Sequence, residues 1–208
     1  MYYAKKKQAI EYIILANALV FFLTIIMPGV LGALMPLQPA TLFSRPWTLI
    51  TSMFIHADLN HILFNMISLF FFGTYLEQVI GQKDFLKVYF LGGLAAGLMF
   101  AAISLTLGIP DPRSIALGAS GAISAVMGAL IILRPNLTIY LYFLFPMPLW
   151  VWGIVFIIAE SLYTPSMSGV AHSAHLGGIL AGLIFGYYFK RKGGHEQPAV
   201  SYSYRHGY

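Results

Sequence analysis

Six apolar runs, each close to the length of a membrane crossing, take up most of this 208-residue chain. A helix rises 1.5 Å per residue, so about 20 mostly apolar residues cross the roughly 30 Å hydrocarbon core of a bilayer. Runs of this kind occupy residues 12–35, 60–76, 88–107, 115–133, 138–162 and 170–189. Only 9% of residues are charged and 59% are hydrophobic, against about 25% charged in soluble domains. So little charge cannot cover a water-soluble globule, and so much apolar content excludes disorder. The pattern predicts an all-α membrane protein, a bundle of six transmembrane helices.

Direction follows from Lys and Arg, which accumulate on the cytoplasmic side. With the N-terminus inside, the inner segments hold Lys5, Lys6, Lys7, Lys83, Lys87, Arg134, Lys190, Arg191, Lys192 and Arg205. The outer segments hold only Arg45 and Arg113. This bias predicts cytoplasmic termini, and it reads the net charge of +5 as orientation rather than as a nucleic-acid surface. The first run is too long for a cleaved signal peptide and lacks a clear small-residue cleavage site. Cysteine is absent, which removes disulfides, thiol nucleophiles and thiolate metal sites. Residues 1–192 are expected to form the membrane domain and 193–208 a polar, mobile cytoplasmic tail. The outer connection 36–58, with Leu42, Phe43, Trp47, Leu49, Ile50, Met53, Phe54 and Ile55, is too apolar for a solvated loop. It is expected to lie partly in the outer interface. Pro146 and Pro148 are expected to kink span five.

Strongly polar groups inside a membrane are costly and mark functional sites. Spans two, four and six all run inward from the outer face. His61 and Asn65 open the second, Ser120 the fourth and His175 the sixth. Each lies near the start of its helix, on the order of 8 Å below the outer rim. Small residues continue below two of them: Gly121, Ala125 and Gly128 under Ser120, and Gly178, Gly182 and Gly186 under His175. Such stripes let helices pack closely, which would bring the hydroxyl to the imidazole. A serine becomes nucleophilic when a neighbouring base accepts its proton, and neutral imidazole suits that role. The Ser120 backbone N–H, with His61 and Asn65 one turn apart on one helix face, can supply oxyanion donors. No acidic residue is expected at this depth, so the unit reads as a Ser–His dyad. His172, one turn before His175, competes for the role of base but is expected to face the external loop; His56 reads as an interfacial group. A metal held by His172 and His175 is set aside, because no HExxH motif and no carboxylate accompanies them. No cofactor is expected. Glu77 is expected to cap or pair at the inner end of span two, and Glu160 to reach the outer rim or to tune the site.

With these residues in hand, the chain resembles the rhomboid intramembrane serine proteases of the six-span prokaryotic type. The resemblance rests on His61-Ile62-Leu63-Phe64-Asn65, Gly118-Ala119-Ser120-Gly121 and Ala174-His175-Leu176-Gly177-Gly178, in that order on spans two, four and six. It implies that Ser120 is the nucleophile, His175 rather than His172 the base, and His61 and Asn65 the oxyanion donors. It also implies substrates that are transmembrane segments of other proteins, in a prokaryotic plasma membrane with the active site open to the external side. Glu77 and Gly81 fit a Glu-x-x-x-Gly element of the family. The family's Trp-Arg pair is broken, since Thr48 follows Trp47. The rival readings are a catalytically silent relative that binds membrane proteins, and a transporter. The first would usually have lost the Ser or the His, and the second would favour polar groups at several depths.

Overall fold

The computed structural model describes residues 9–141, 144–163 and 171–193. Lys5, Lys6, Lys7, the loop before span six and the expected tail beyond Gly193 fall outside the described residues. The chain is mainly helical: α1 (Ala9–Ile26), α2 (Pro28–Leu34), α3 (Thr48–Thr51), α4 (Leu59–Ser68), α5 (Thr74–Ile80), α6 (Gln82–Leu107), α7 (Ser120–Leu133), α8 (Leu149–Tyr163) and α9 (His172–Lys192). A π-helical turn, Leu69–Gly73, joins α4 to α5. Among the described residues, three helical stretches are long and apolar enough to cross a bilayer: Ala9–Ile26, Leu59–Ile80 and Gln82–Leu107.

Three expected spans are built differently. Run 12–35 is two helices, because Pro28 lacks the N–H that would continue the ladder and instead begins α2. In run 115–133, residues 115–119 are not helical: Leu37 and Ala116 exchange backbone hydrogen bonds of 2.9 and 2.8 Å. The helix starts only at Ser120, and its 14 residues span about 21 Å, short of a bilayer core. In run 138–162 the prolines do not kink a helix. They lie in β2 (Phe145–Pro148), which pairs antiparallel with β1 (Thr138–Leu141), and α8 begins only after them. Thr138, Ile139 and Tyr140 favour the extended form, and a two-stranded ribbon has only edges, where proline's missing donor is tolerated.

The centre of the molecule is α7. Ala122, Ala125, Val126, Ala129 and Leu130 are at most 1% exposed, enclosed chiefly by α6 and α9. The two small-residue stripes do meet. A Cβ added at Gly178 or Gly182 would strike the carbonyl of Gly121 or Ala125, and one at Gly186 would fall 2.7 Å from the Ala129 carbonyl oxygen. Gly121 itself turns the other way, where a Cβ would fall 2.7 Å from Ala96 of α6. Lipid is as apolar as a leucine side chain, so helices here gain little from hydrophobic burial and are held by close backbone contact. Outward-facing Leu15, Leu19, Phe22, Phe70, Phe71 and Ile184 stay exposed, as lipid-facing positions should.

Gly182→Ala should therefore lower the melting temperature of the detergent-solubilised protein by several degrees, matching an overpacking cost of about 1–3 kcal/mol. Gly29→Ala, whose new methyl meets nothing within 4 Å, should change it little. A thermal melt of both variants checks this, and the reverse order would contradict the packing described.

Candidate active site

Helix α7 starts inside the molecule because the segment before it is fastened to the outer connection. Besides the Leu37–Ala116 pair, Ala40 N–H donates to the Pro112 carbonyl (2.9 Å) and Gly118 N–H to that of Ser52 (2.8 Å). Ala119 N–H donates to His56 Nε2 at 3.4 Å. Leu37, Met53 and Ile55 are thus buried, while Phe43 is 91% exposed. The expected interfacial loop is half scaffold. Its own end of α2 is closed by side chains: Arg45 Nη1 donates to the Ala33 carbonyl, Trp47 Nε1 to Leu34 and Thr51 Oγ1 to Met35, at 2.8, 3.2 and 2.9 Å. Arg45, two residues before the tryptophan, thereby places a cation at a helix C-terminus.

Ser120 is the first residue of α7, and its backbone N–H has no acceptor among the described residues, as helix geometry dictates for the first turn. Its Oγ lies 2.8 Å from His175 Nε2, so the two residues read as nucleophile and base are in hydrogen-bond contact. Both line a cavity of about 670 Å³, together with His61 and Asn65 of α4 and with Phe64, Met127, Trp152 and Phe156. Asp58 caps α4, its Oδ1 accepting His61 N–H at 2.9 Å. His61 Nδ1 accepts Ala57 N–H at 3.4 Å, which leaves the neutral ring's proton on Nε2. That nitrogen packs on Gly118, where a Cβ would fall 2.6 Å from it. Gly118 also has φ +108°, a conformation open to glycine. Asn65 spends one amide hydrogen on the His61 carbonyl, at 2.8 Å.

Two expectations are corrected here. His56 is not an exposed group; it is 2% exposed, its ring edge-on to His61 with centroids 5.0 Å apart. Burial, reinforced by the neighbouring His61, lowers its pKa from 6.5 to about 4, so the ring is neutral and Nε2 can accept from Ala119. Nor is the site free of carboxylates. Glu160 of α8 has Oε2 at 2.7 Å from His172 Nδ1 and Oε1 at 3.2 Å from His175 Nδ1, so neither Glu160 nor His172 points away to the rim. The missed signal is depth: Glu160 nears the outer end of span five, level with the start of span six. Glu77 does act as a cap, though on another helix. Its carboxylate accepts the N–H groups of Ala9 (3.0 Å) and Ile10 (3.4 Å) at the start of α1, where a helix favours an anion.

Glu160, His172 and His175 offer three ligand atoms within 4.8 Å of one another. Tetrahedral zinc spaces such atoms about 3.3 Å apart, and the 2.7 Å Glu160–His172 contact is tighter than that. The cluster has the geometry of a carboxylate hydrogen-bonded to an imidazole.

Residues 44–192 match the family model of the rhomboid domain. The chain is 37% identical over 153 residues to RHOMBOID-like protein 12, mitochondrial, of Arabidopsis thaliana, covering 67% of this chain and 45% of that protein. It is 31% identical over 150 residues to Rhomboid protein 1, mitochondrial, of Saccharomyces cerevisiae (69% and 42%). Over 140 residues it is 32% identical to the Rhomboid protease GluP of Bacillus subtilis (65% and 24%). The chain thus spans less than half the length of each of these relatives.

The neutral His56 gives a pH dependence. Its pKa is lower folded than unfolded, so the unfolded chain takes up the proton first. Stability is full above about pH 6.5 and falls as pH drops toward 4, by at most ~3 kcal/mol. His56→Gln should flatten the fall in melting temperature over that interval. A slope identical to that of the wild-type protein would show that His56 does not carry it.

Proposed function

Because the chain belongs to the rhomboid family, we propose that it is an intramembrane serine endopeptidase hydrolysing peptide bonds in or beside transmembrane segments of other membrane proteins. It is an integral membrane protein; in the finer topology, six crossings by residues 1–192 rest on the apolar runs, and the cytoplasmic placing of both termini and the tail 193–208 on the Lys and Arg bias. On that topology the cavity opens on the side opposite the basic loops. Of the three relatives described above two are mitochondrial and one is bacterial, so the expected prokaryotic plasma membrane gains no support from them.

The observation that carries the reading is the 2.8 Å contact between Ser120 Oγ and His175 Nε2. In the reaction, the Ser120 Oγ–H proton passes to His175 Nε2 as the oxygen bonds to the scissile carbonyl carbon. The negative charge that develops on the carbonyl oxygen is met by the Ser120 N–H, His61 Nε2–H and Asn65. The imidazolium then gives its proton to the leaving nitrogen as the C–N bond breaks, and a water deprotonated by the same imidazole releases the acyl group. A helical substrate hides its carbonyls in internal hydrogen bonds. It must unwind locally, which favours substrates with Gly or Pro near the cut. No metal or cofactor is needed for this sequence of steps. A silent membrane-protein binder would have no use for an aligned hydroxyl and imidazole beside an unoccupied N–H.

A fluorophosphonate probe and a designed transmembrane substrate test this. Wild-type protein should be labelled and should cleave; Ser120→Ala and His175→Ala should do neither, while His172→Ala keeps most of the activity. His61→Ala and Asn65→Ala should each cost about 10²–10³ in rate. Cleavage that survives Ser120→Ala would sink the assignment.

A further inference from the structure

We infer that Glu160 is a positioning residue for His175, so that the working unit is a carboxylate, an imidazole and a hydroxyl in a row rather than a pair. The inference rests on the proteolytic reading above. It starts from how the imidazole is held. Ser120 Oγ takes Nε2 at 2.8 Å, Glu160 Oε1 stands 3.2 Å from Nδ1, and the Phe156 ring lies 6.2 Å from the imidazole, centroid to centroid. Phe156 and Glu160 are one turn apart on α8 and share a face, so a single helix supplies both the wall and the anion. The three ionisable groups are sheltered, with side-chain exposures of 13% for Glu160, 15% for His175 and 11% for His172.

The chemistry needs such a group. A neutral imidazole has two tautomers, and only the one protonated on Nδ1 leaves a lone pair on Nε2 for the serine proton. A carboxylate beside Nδ1 selects that tautomer. It also faces the imidazolium that forms when the proton arrives, while staying ionised itself. In this structure Nδ1 of His175 is buried and has no aligned hydrogen bond among the described residues. The carboxylate stands at ion-pair distance but off line, its better bond going to His172 at 2.7 Å. For this role the ring must turn until Nδ1–H points at Oε1. His172 holds the other carboxylate oxygen at 2.7 Å and is not the base; the carboxylate's place beside His175 is set by α8.

The test compares full-length wild type with Glu160→Gln, Glu160→Asp and His172→Ala, reading kcat and KM on the designed substrate, the fluorophosphonate labelling rate of Ser120, and the melting temperature. Glu160→Gln should lose about 10- to 100-fold in kcat and in labelling rate, less than amide replacement costs a well-aligned soluble triad. Its KM should stay within about twofold, since the carboxylate does not touch substrate. Glu160→Asp, which keeps the charge, should recover part of the loss, and His172→Ala should stay within about threefold of wild type. Wild-type kcat in Glu160→Gln overturns the inference, as does an equal loss in Glu160→Gln and His172→Ala, which would make the carboxylate a clamp on His172 alone. If Glu160→Gln melts far below wild type, Glu160→Asp decides: with a native melting temperature it must out-perform every uncharged replacement at that position. Failure of the wild type to label or cleave would instead reject the proteolytic reading itself.

Discussion

Everything in this molecule depends on two helices touching backbone to backbone. Where α9 crosses α7, Gly178, Gly182 and Gly186 leave no room even for a methyl group against the carbonyls of Gly121, Ala125 and Ala129. In a bilayer there is little hydrophobic gain from association, so contact of this closeness supplies dispersion where burial cannot. It also fixes distances. Ser120 and His175 head the two helices, and the register of the glycine contacts sets how far apart their side chains stand. A shift of one helix by a residue, about 1.5 Å along the axis, would separate them.

The second constraint is where α7 begins. A helix that started at the membrane surface would put its free N–H groups in water. Here the chain instead approaches as a non-helical segment, paired with Leu37 at Ala116 and bonded to Ser52 and His56, and turns helical only at Ser120. The unpaired first-turn amide of Ser120 therefore lies beside the hydroxyl, inside a cavity with apolar walls. Low local dielectric makes such a donor worth more to a developing oxyanion than it would be at the surface.

Much of this was legible from residue types and spacing. Apolar run length located the helical stretches, and the small-residue intervals on spans four and six predicted which two helices would meet. Polar residues at shared depth picked out Ser120, His175, His61 and Asn65. What was not legible has physical causes. Run length cannot tell a helix from an extended segment, so residues 115–119 and the Thr138–Pro148 hairpin were read as membrane helix. Pro28 was a readable break that the length of its run concealed. Glu160 was read in isolation, because its partners lie 12 and 15 positions away in the sequence, on a different helix. His56 looked interfacial because its acceptor role toward Ala119 exists only in three dimensions.

The hydrogen bonds of the outer connection have a mechanical corollary. Helix α2, the turn Pro39–Thr41, α3 and the strand-like approach to α7 are laced together through main-chain and capping bonds, from Arg45–Ala33 to Gly118–Ser52. The facing wall carries Trp152 and Phe156 of α8; main-chain bonds tie the start of that helix, Leu149 and Trp150, to Leu137 and Pro135, and Glu160 near its other end reaches His172 and His175. The two flanks of the cavity are thus held by different means: one by main-chain and capping bonds, the other, at the level of the imidazole, through the Glu160 side chain.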